Sequence, residues 1–153
     1  MKIMDFLCEK AISIDLKAQD KKEAISELVD LLSRAKKIKN PSKVIEAILE
    51  REKLGSTGIG QGVAIPHGKT DSVPEQIGAI GISQKGVEFN SLDGEPVNLI
   101  FLLIGPAEVA GLHLKALARV SRLFKDRFFR QALKEAKSIE DVIKIIVQED
   151  SKA

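Results

Sequence analysis

Two histidines, His67 and His113, are the only imidazole side chains in the sequence. The segment around His67, residues 54–70, contains five of the eleven glycines and one proline, and glycine permits backbone conformations and close approaches that other residues do not. A neutral imidazole can attack phosphorus when a hydrogen bond holds one ring nitrogen and the other is exposed. Such a transfer also needs donors for the phosphoryl oxygens. His67 is therefore a candidate nucleophile, and His113 and Arg51 are candidate donors if the fold brings them together.

Other chemistries that use glycine-rich loops do not fit this segment. A phosphate-binding loop ending at Gly68-Lys69-Thr70 would need glycine at position 63, where the sequence has Val63. The dinucleotide-binding fingerprint G-x-G-x-x-G fails as well, because it needs glycine at position 63 or 65. Two histidines and one cysteine are too few for a zinc site of such ligands, and there is no G-x-S-x-G motif. We therefore expect neither a metal ion nor a cofactor.

Packing is the alternative explanation for both histidines. A single histidine at the end of a strand is more often packed or exposed without a catalytic role. A histidine on the apolar face of a helix, as predicted for His113, is often a hydrogen-bonded core residue. The residues alone leave both alternatives open.

The composition is that of an ordinary globular protein with one domain. The chain has 153 residues, 44% hydrophobic and 30% charged, with a net charge of +2, which suffices for a core without disulfides. The balanced charge and the six aromatic residues, all phenylalanine, argue against nucleic-acid binding. No apolar run approaches the roughly 20 residues that cross a bilayer, and no signal peptide is recognisable. We expect a cytoplasmic protein without membrane insertion, whose only cysteine, Cys8, packs in the core.

Four elements are predicted before the glycine-rich segment: a helical turn over 3–9, a strand over 12–17, a helix over 21–35 and a helix that starts at 40. Asp20 and Glu23 form a capping-box pattern at the start of the first long helix. Asn40-Pro41 marks the start of the second, with Asn40 as N-cap. Arg51 lies in its last turn and is the nearest fixed cation before His67.

Strands are predicted over 63–65, 76–83, 87–89 and 97–104. Pro66 cannot donate to a β-ladder and marks the end of the first of these, so His67 is expected at the C-terminal end of a strand. Residues 97–104 are the most hydrophobic run in the chain and predict a central strand that is covered on both faces.

Helices are predicted to follow the last strand. One begins near Gly111 and carries His113 on the same face as Leu117, Val120 and Phe124. A further helical segment follows position 126, and a capping pattern at position 138 opens a final helix. Strands interleaved with helices indicate an α/β sandwich, with one sheet and helices on both faces.

The sequence resembles the enzyme IIA proteins of the bacterial phosphoenolpyruvate-dependent sugar phosphotransferase system. The active-site signature of their fructose/mannitol class, which includes nitrogen-regulatory relatives, is similar to residues 51–68, REKLGSTGIGQGVAIPHG. A second family block, in which a histidine precedes a leucine-rich helix, is similar to residues 101–124, FLLIGPAEVAGLHLKALARVSRLF. The strand-to-helix opening of the family is similar to residues 12–32. The likeness thus extends over nearly the whole chain.

The resemblance implies that His67 is phosphorylated by the phosphohistidine of the carrier HPr or a paralogue, and that His113 and Arg51 contact the phosphoryl group. It implies a mixed sheet of about five strands with helices on both faces, in a single enzyme IIA domain over residues 1–153. The next acceptor would be a cysteine on a separate IIB chain, because Cys8 lacks the surrounding loop of a IIB domain. The sequence departs from the family pattern at Gln61 and Leu112, which is expected to affect partner docking and not the chemistry.

Two functions are compatible with these features. One is phosphoryl transfer to a IIB cysteine for the uptake of a sugar such as fructose or mannitol. The other is a nitrogen-regulatory type of protein, in which phosphorylation of His67 controls partner proteins. For both we expect residues 54–70 to form a shallow docking surface, on which the glycines leave few side chains around His67. A third possibility, a relative without enzymatic activity, would carry no phosphohistidine.

Overall fold

The computed structural model describes residues 1–152. In this range the chain forms six β-strands, β1 Leu7–Ser13, β2 Gly58–Gly60, β3 Val63–Ala64, β4 His67–Lys69, β5 Ile77–Val87 and β6 Val97–Gly105. It also forms five α-helices, α1 Lys21–Arg34, α2 Pro41–Lys53, α3 Ala110–Phe124, α4 Arg127–Glu135 and α5 Ile139–Asp150. Two short 3-10 helices, Ile3–Asp5 and Ala107–Val109, precede β1 and α3. None of the helices in residues 1–152 has the length and apolar character to cross a bilayer.

The strands form one mixed sheet in the order β1-β5-β6-β3-β2, with β4 also paired to β6. β5 and β6 run antiparallel, as do β2 and β3, whereas β1 is parallel to β5, and β3 and β4 are parallel to β6. The predicted α/β fold with a mixed sheet is confirmed. The sheet has six strands where about five were predicted.

The sixth strand exists because β3 and β4 are two parts of one interrupted strand. Val63 of β3 lies opposite Leu99 of β6, and His67 of β4 lies opposite Leu103, so both parts keep the same register. Pro66, which has no N–H to donate, falls in the interruption and only accepts, from the N–H of Leu103. The sequence therefore continues along β6 beyond the point where proline was predicted to end the strand.

Helices cover both faces of the sheet, as predicted. The core on one face includes side chains of α1 and α2, and the core on the other includes side chains of α3, α4 and α5. β6 contributes to both: Ile100, Leu102 and Ile104 to the first core, and Leu99, Phe101 and Leu103 to the second. Because each such side chain contributes about 1.5–3 kcal/mol when fully buried, β6 is the centre of the fold, as its hydrophobic sequence predicted.

The N-terminal strand lies earlier than predicted. The interpretation of 3–9 as a helical turn holds only for Ile3–Asp5, and the strand is Leu7–Ser13 instead of residues 12–17. Its register against β5 shifts between Leu7 and Ile12, so buried residues occur in pairs and do not alternate. The strand prediction depended on apolar and polar residues alternating along the sequence, and the irregularity in β1 removes that alternation. Cys8 is buried, as expected.

The predicted helix starts are confirmed. Asp20 accepts a hydrogen bond from the backbone N–H of Glu23, and Asn40 caps α2 by accepting from Lys43, with Pro41 at the first helical position. The predicted strand over 76–83 is longer than expected and continues to Val87 as β5, so only the first residue of the predicted strand over 87–89 lies in a strand. The predicted break between these strands lay at residues 84–86. The register with β6 shifts between Ile82 and Val87, and pairing resumes at Val87, so the strand is not broken there.

Candidate active site

His67 is the first residue of β4 and not the last residue of the preceding strand, so the predicted position was wrong in this respect. The physical reason is the shared register of β3 and β4 along β6, which Pro66 interrupts without ending. In residues 1–152, β4 pairs only with β6, and its other side has no neighbouring strand. His67 thus lies at a free edge of the sheet.

One ring nitrogen of His67 is bound by the main chain. Its Nδ1 lies 2.8 Å from the carbonyl oxygen of Ile65. Because a carbonyl oxygen can only accept, Nδ1 carries the proton and donates, and Nε2 keeps a lone pair. Burial lowers the pKa of His67 below its usual value, the hydrogen bond to Ile65 opposes this, and the charge of Arg51 lowers it further. At neutral pH the ring is therefore neutral, which is the form that can act as a nucleophile.

His113 lies beside His67. The ring centroids are 5.8 Å apart and the ring planes are inclined by 51°. His113 is on the buried face of α3, as predicted, with only 2% of its surface exposed. Its Nδ1 lies 3.0 Å from Oε1 of Gln76. Burial, followed by the charges of His67 and Lys69, lowers the pKa of His113 to about 4, so this ring is neutral at neutral pH as well.

Arg51 reaches the same site from the last turn of α2. Its Nη1 donates to the carbonyl oxygen of Gly55 at 2.9 Å, which holds the guanidinium at the C-terminal end of the helix. α2 can approach this closely because Gly68 of β4 has no side chain. A Cβ at position 68 would lie 3.2 Å from the backbone carbonyl carbon of Ala47. The glycine that follows His67 therefore sets the distance between β4 and the helix that carries Arg51.

The three predicted site residues line one open pocket of about 540 Å³. Its other lining residues are Ala47, Glu50, Leu54, Gly68, Lys69, Leu114 and Leu117. The structure thus brings Arg51, His67 and His113 together. Two neighbours of these residues, Lys69 and Gln76, were not singled out from the sequence. Gln76 gave no sequence signal, because its contact with His113 depends on how β5 and α3 pack at the end of the sheet.

The glycines at 58, 60 and 62 do not line this pocket, so the part of the predicted docking surface that borders it consists of Leu54, His67, Gly68 and Lys69. They lie instead against a loop and the start of β6. The nearest side chains to these three positions are Ser91, Asp93 and Asn98 respectively. A Cβ at position 58 would collide with Ser91, so the glycines serve the packing of the β2–β3 hairpin. Of the five glycines in residues 54–70, only Gly68 lines the pocket.

A protein-family model described as "Phosphoenolpyruvate-dependent sugar phosphotransferase system, EIIA 2" matches residues 5–149. The chain belongs to this enzyme IIA family. Membership implies that this enzyme IIA is a phosphoryl carrier, and the resemblance inferred from residues 51–68 and 101–124 is confirmed.

This enzyme IIA is similar both to sugar-specific components of the phosphotransferase system and to nitrogen regulatory proteins. It is 41% identical over 150 residues to the fructose-specific EIIABC component of Bacillus subtilis, covering 98% of this chain but 24% of that protein. It is 37% identical to a nitrogen regulatory protein of Bradyrhizobium diazoefficiens, covering 95% of each. The crystal structure of the nitrogen regulatory protein IIA-Ntr from Neisseria meningitidis superimposes with a TM-score of 0.87 at 38% identity, covering 94% of this chain and 98% of that one.

Proposed function

We propose that this enzyme IIA carries a phosphoryl group on Nε2 of His67. The observation that supports this most directly is the hydrogen bond from Nδ1 to the carbonyl of Ile65, which leaves Nε2 as the nitrogen with a free lone pair. The ring lines an open pocket and is neutral at neutral pH. Together these features describe a nucleophile that a protein partner can reach.

The proposed reaction has two reversible transfers. The lone pair of His67 Nε2 attacks the phosphorus of phosphohistidine on HPr or a paralogue, and the P–N bond to that donor breaks with its electron pair returning to the donor imidazole. A thiolate of a separate IIB chain then attacks the same phosphorus. The P–N bond to His67 breaks and its electron pair returns to Nε2. The proton on Nδ1 stays in place throughout because the Ile65 carbonyl holds it.

Three other groups of the pocket are suited to bind the phosphoryl oxygens. Arg51 and Lys69 bring positive charge, and both charges act on the neighbouring rings, as the lowered pKa values of His67 and His113 indicate. We propose that Arg51 and His113 stabilise the transferring group, in which negative charge is spread over the equatorial oxygens. Fixed donors of this kind are usually the largest contribution to such catalysis.

The rim of the pocket is suited to a protein partner. Leu54 and Leu114 line it with 84% and 65% of their surfaces exposed. Exposed leucines beside a cationic centre fit a partner that presents a phosphoryl group inside an apolar contact area. We propose that phospho-HPr and the acceptor use this face in turn, and that residues 1–153 act as one enzyme IIA domain.

A regulatory role is the second candidate. The nitrogen regulatory protein of Bradyrhizobium diazoefficiens is 37% identical over 95% of each chain, and IIA-Ntr of Neisseria meningitidis superimposes with a TM-score of 0.87. In this role, His67 would still accept the phosphoryl group, and its phosphorylation would change the affinity for a regulated protein. The chemistry at His67 is the same in both candidates, and only the acceptor differs.

Incubation with phospho-HPr tests the proposal. We expect acid-labile phosphate on the wild type and none on His67→Ala, whereas label on the alanine variant would contradict the assignment. Addition of IIB proteins then separates the two roles. Rapid loss of label to a IIB cysteine supports sugar transport, and retention of label with every IIB protein supports the regulatory role.

A further inference from the structure

The side-chain amide of Gln76 lies between His113 and Gly105. One end of the amide, Oε1, is 3.0 Å from Nδ1 of His113. The other end, Nε2, is buried and has no hydrogen-bond partner in residues 1–152. Gly105 makes room for this group, because a Cβ at that position would collide with the amide of Gln76. Gly105 therefore leaves the space that the amide of Gln76 needs to reach Nδ1 of His113.

The two ends of an amide have nearly the same size, so their hydrogen bonds decide its orientation. With Oε1 towards His113, an NH₂ group with two donors is left buried and unpaired. A half-turn of the amide places Nε2 against Nδ1 of His113, where one N–H donates a hydrogen bond, and moves the oxygen towards Gly105, so that one N–H and one oxygen are unpaired in place of two N–H groups. Buried carbonyl oxygens without a full set of partners are more common than buried N–H groups without one. The second orientation is therefore the more stable one.

We infer that Gln76 is a positioning residue that donates to Nδ1 of His113 and so holds the His113 proton on Nε2. A histidine with its Nδ1 occupied as an acceptor presents Nε2–H as a donor on the opposite side of the ring. That side faces the pocket that His113 shares with His67. The consequence for transfer depends on the proposed function, whereas the tautomer itself does not.

The tautomer matters because His113 has a single ring proton. With its pKa lowered to about 4, the ring is neutral at neutral pH and cannot donate from both nitrogens. With the proton on Nε2, His113 donates to a phosphoryl oxygen on His67. With the proton on Nδ1, the lone pair of Nε2 would face that oxygen and repel it. Gln76 thus decides whether the second histidine assists or opposes the transfer.

The tautomer can be measured on the unphosphorylated protein by ¹⁵N–¹H correlation spectra of the imidazole nitrogens. We expect His113 of the wild type to carry its proton on Nε2. Gln76→Met keeps the length of the side chain without hydrogen bonding, and we expect a mixture of both tautomers. Gly105→Ala displaces the amide without altering Gln76 or His113, and we expect the same mixture. Gln84→Met is the matched control, because Gln84 is in β5, the strand that Gln76 immediately precedes, and donates to the carbonyl of Lys134.

The inference is overturned if His113 of the wild type carries its proton on Nδ1, or if neither Gln76→Met nor Gly105→Ala changes the tautomer. A second measurement is the transfer rate from phospho-HPr at saturation, which we expect to fall in Gln76→Met in proportion to the lost fraction of the Nε2–H tautomer, about 2-fold for an equal mixture, with little change in KM. An unchanged rate would also contradict it. Failure of the wild type to accept phosphate would instead contradict the proposed function and leave the tautomer result intact.

Discussion

Arg51 and His113 belong to helices on opposite faces of the sheet, yet both line the pocket that contains His67. This is possible because β4 is short and, in residues 1–152, pairs with a strand on one side only. The free edge of β4 lets side chains of α2 and α3 line one pocket beside it. The guanidinium of Arg51 therefore approaches His67 from one face of the sheet, and the imidazole of His113 approaches it from the other.

This arrangement predicts separate contributions from the two helices. His113→Ala should still accept phosphate at His67, since the nucleophile is unchanged, but the transfer rate should fall by about 10²–10³-fold because one fixed donor is lost. Rapid-quench measurement of labelled enzyme IIA gives this rate. Lys115→Ala on the same helix is the control, since Lys115 is exposed and outside the pocket. Equal rates for the two variants would make His113 a packing residue.

Removal of Arg51 should change the titration of His67. The guanidinium charge disfavours the imidazolium, so the pKa of His67 should rise in Arg51→Ala. An NMR titration of the His67 ring measures this directly. The exposed Lys53 lies on the same helix and pairs with Glu50, so Lys53→Ala should leave the pKa of His67 unchanged. A pKa that does not move in Arg51→Ala would mean that solvent screens this charge.

The lowered pKa of His67 predicts the pH dependence of phosphate acceptance. The neutral ring of His67 is the nucleophile, and its pKa is below the ordinary value of 6.5. The rate should therefore be constant from neutral pH down to about that value and fall only at lower pH, as the ring becomes protonated. A single-turnover pH profile with phospho-HPr in excess measures this, after correction for the stability of the donor. A fall that begins well above pH 6.5 would contradict the lowered pKa of His67.

Local signals were sufficient to predict much of this fold. The cap at Asn40 and the hydrophobic run of β6 depend on neighbouring residues, and both were identified correctly. The position of β1 was missed because its bulge is imposed by pairing with β5, a contact distant in sequence. The continuation of β3 into β4 was missed because Pro66 is a strong local stop signal, which the shared register with β6 overrides.

The site was also predictable only as far as local sequence signals allowed. Arg51, His67 and His113 could be named because few residues of those types occur where a strand or helix would hold them. The contacts of Gly58 and Gly60 could not be predicted, since their partners Ser91 and Asp93 come from a loop about thirty residues away in sequence. Gln76 could not be found either, because its importance comes from a buried amide nitrogen that only the packed structure reveals.

Gly68 predicts a stability effect that is separate from the chemistry. A Cβ at position 68 would be in tight contact with the backbone of Ala47, which cannot give way like a flexible side chain. Gly68→Ala should therefore lower the free energy of unfolding by about 1–3 kcal/mol, the usual range for overpacking. Gly111→Ala is the matched control, because nothing lies near its Cβ. Urea unfolding measures both, and equal stability of the two variants would show that α2 shifts freely.

Asp150 predicts a larger loss at the other end of the molecule. Its buried carboxylate accepts from Arg119 at 3.0 Å and from the backbone N–H groups of Ile3 and Met4 at 3.1 and 3.2 Å. Asp150→Ala leaves the buried guanidinium of Arg119 without its charge partner, and breaking such a pair typically lowers stability by about 3–5 kcal/mol.

The matched control for Asp150 is its neighbour Glu149, which pairs with the exposed Lys152. Glu149→Ala should lower stability by less than about 1 kcal/mol, because pairs at the surface are screened by solvent. Replacing both partners of the buried pair, in Arg119→Leu with Asp150→Leu, should recover part of the loss, since no unpaired charge is then buried. If Asp150→Ala and Glu149→Ala were equally stable in urea, the pair would contribute no more than a surface contact, and the chain ends would be held by apolar packing alone.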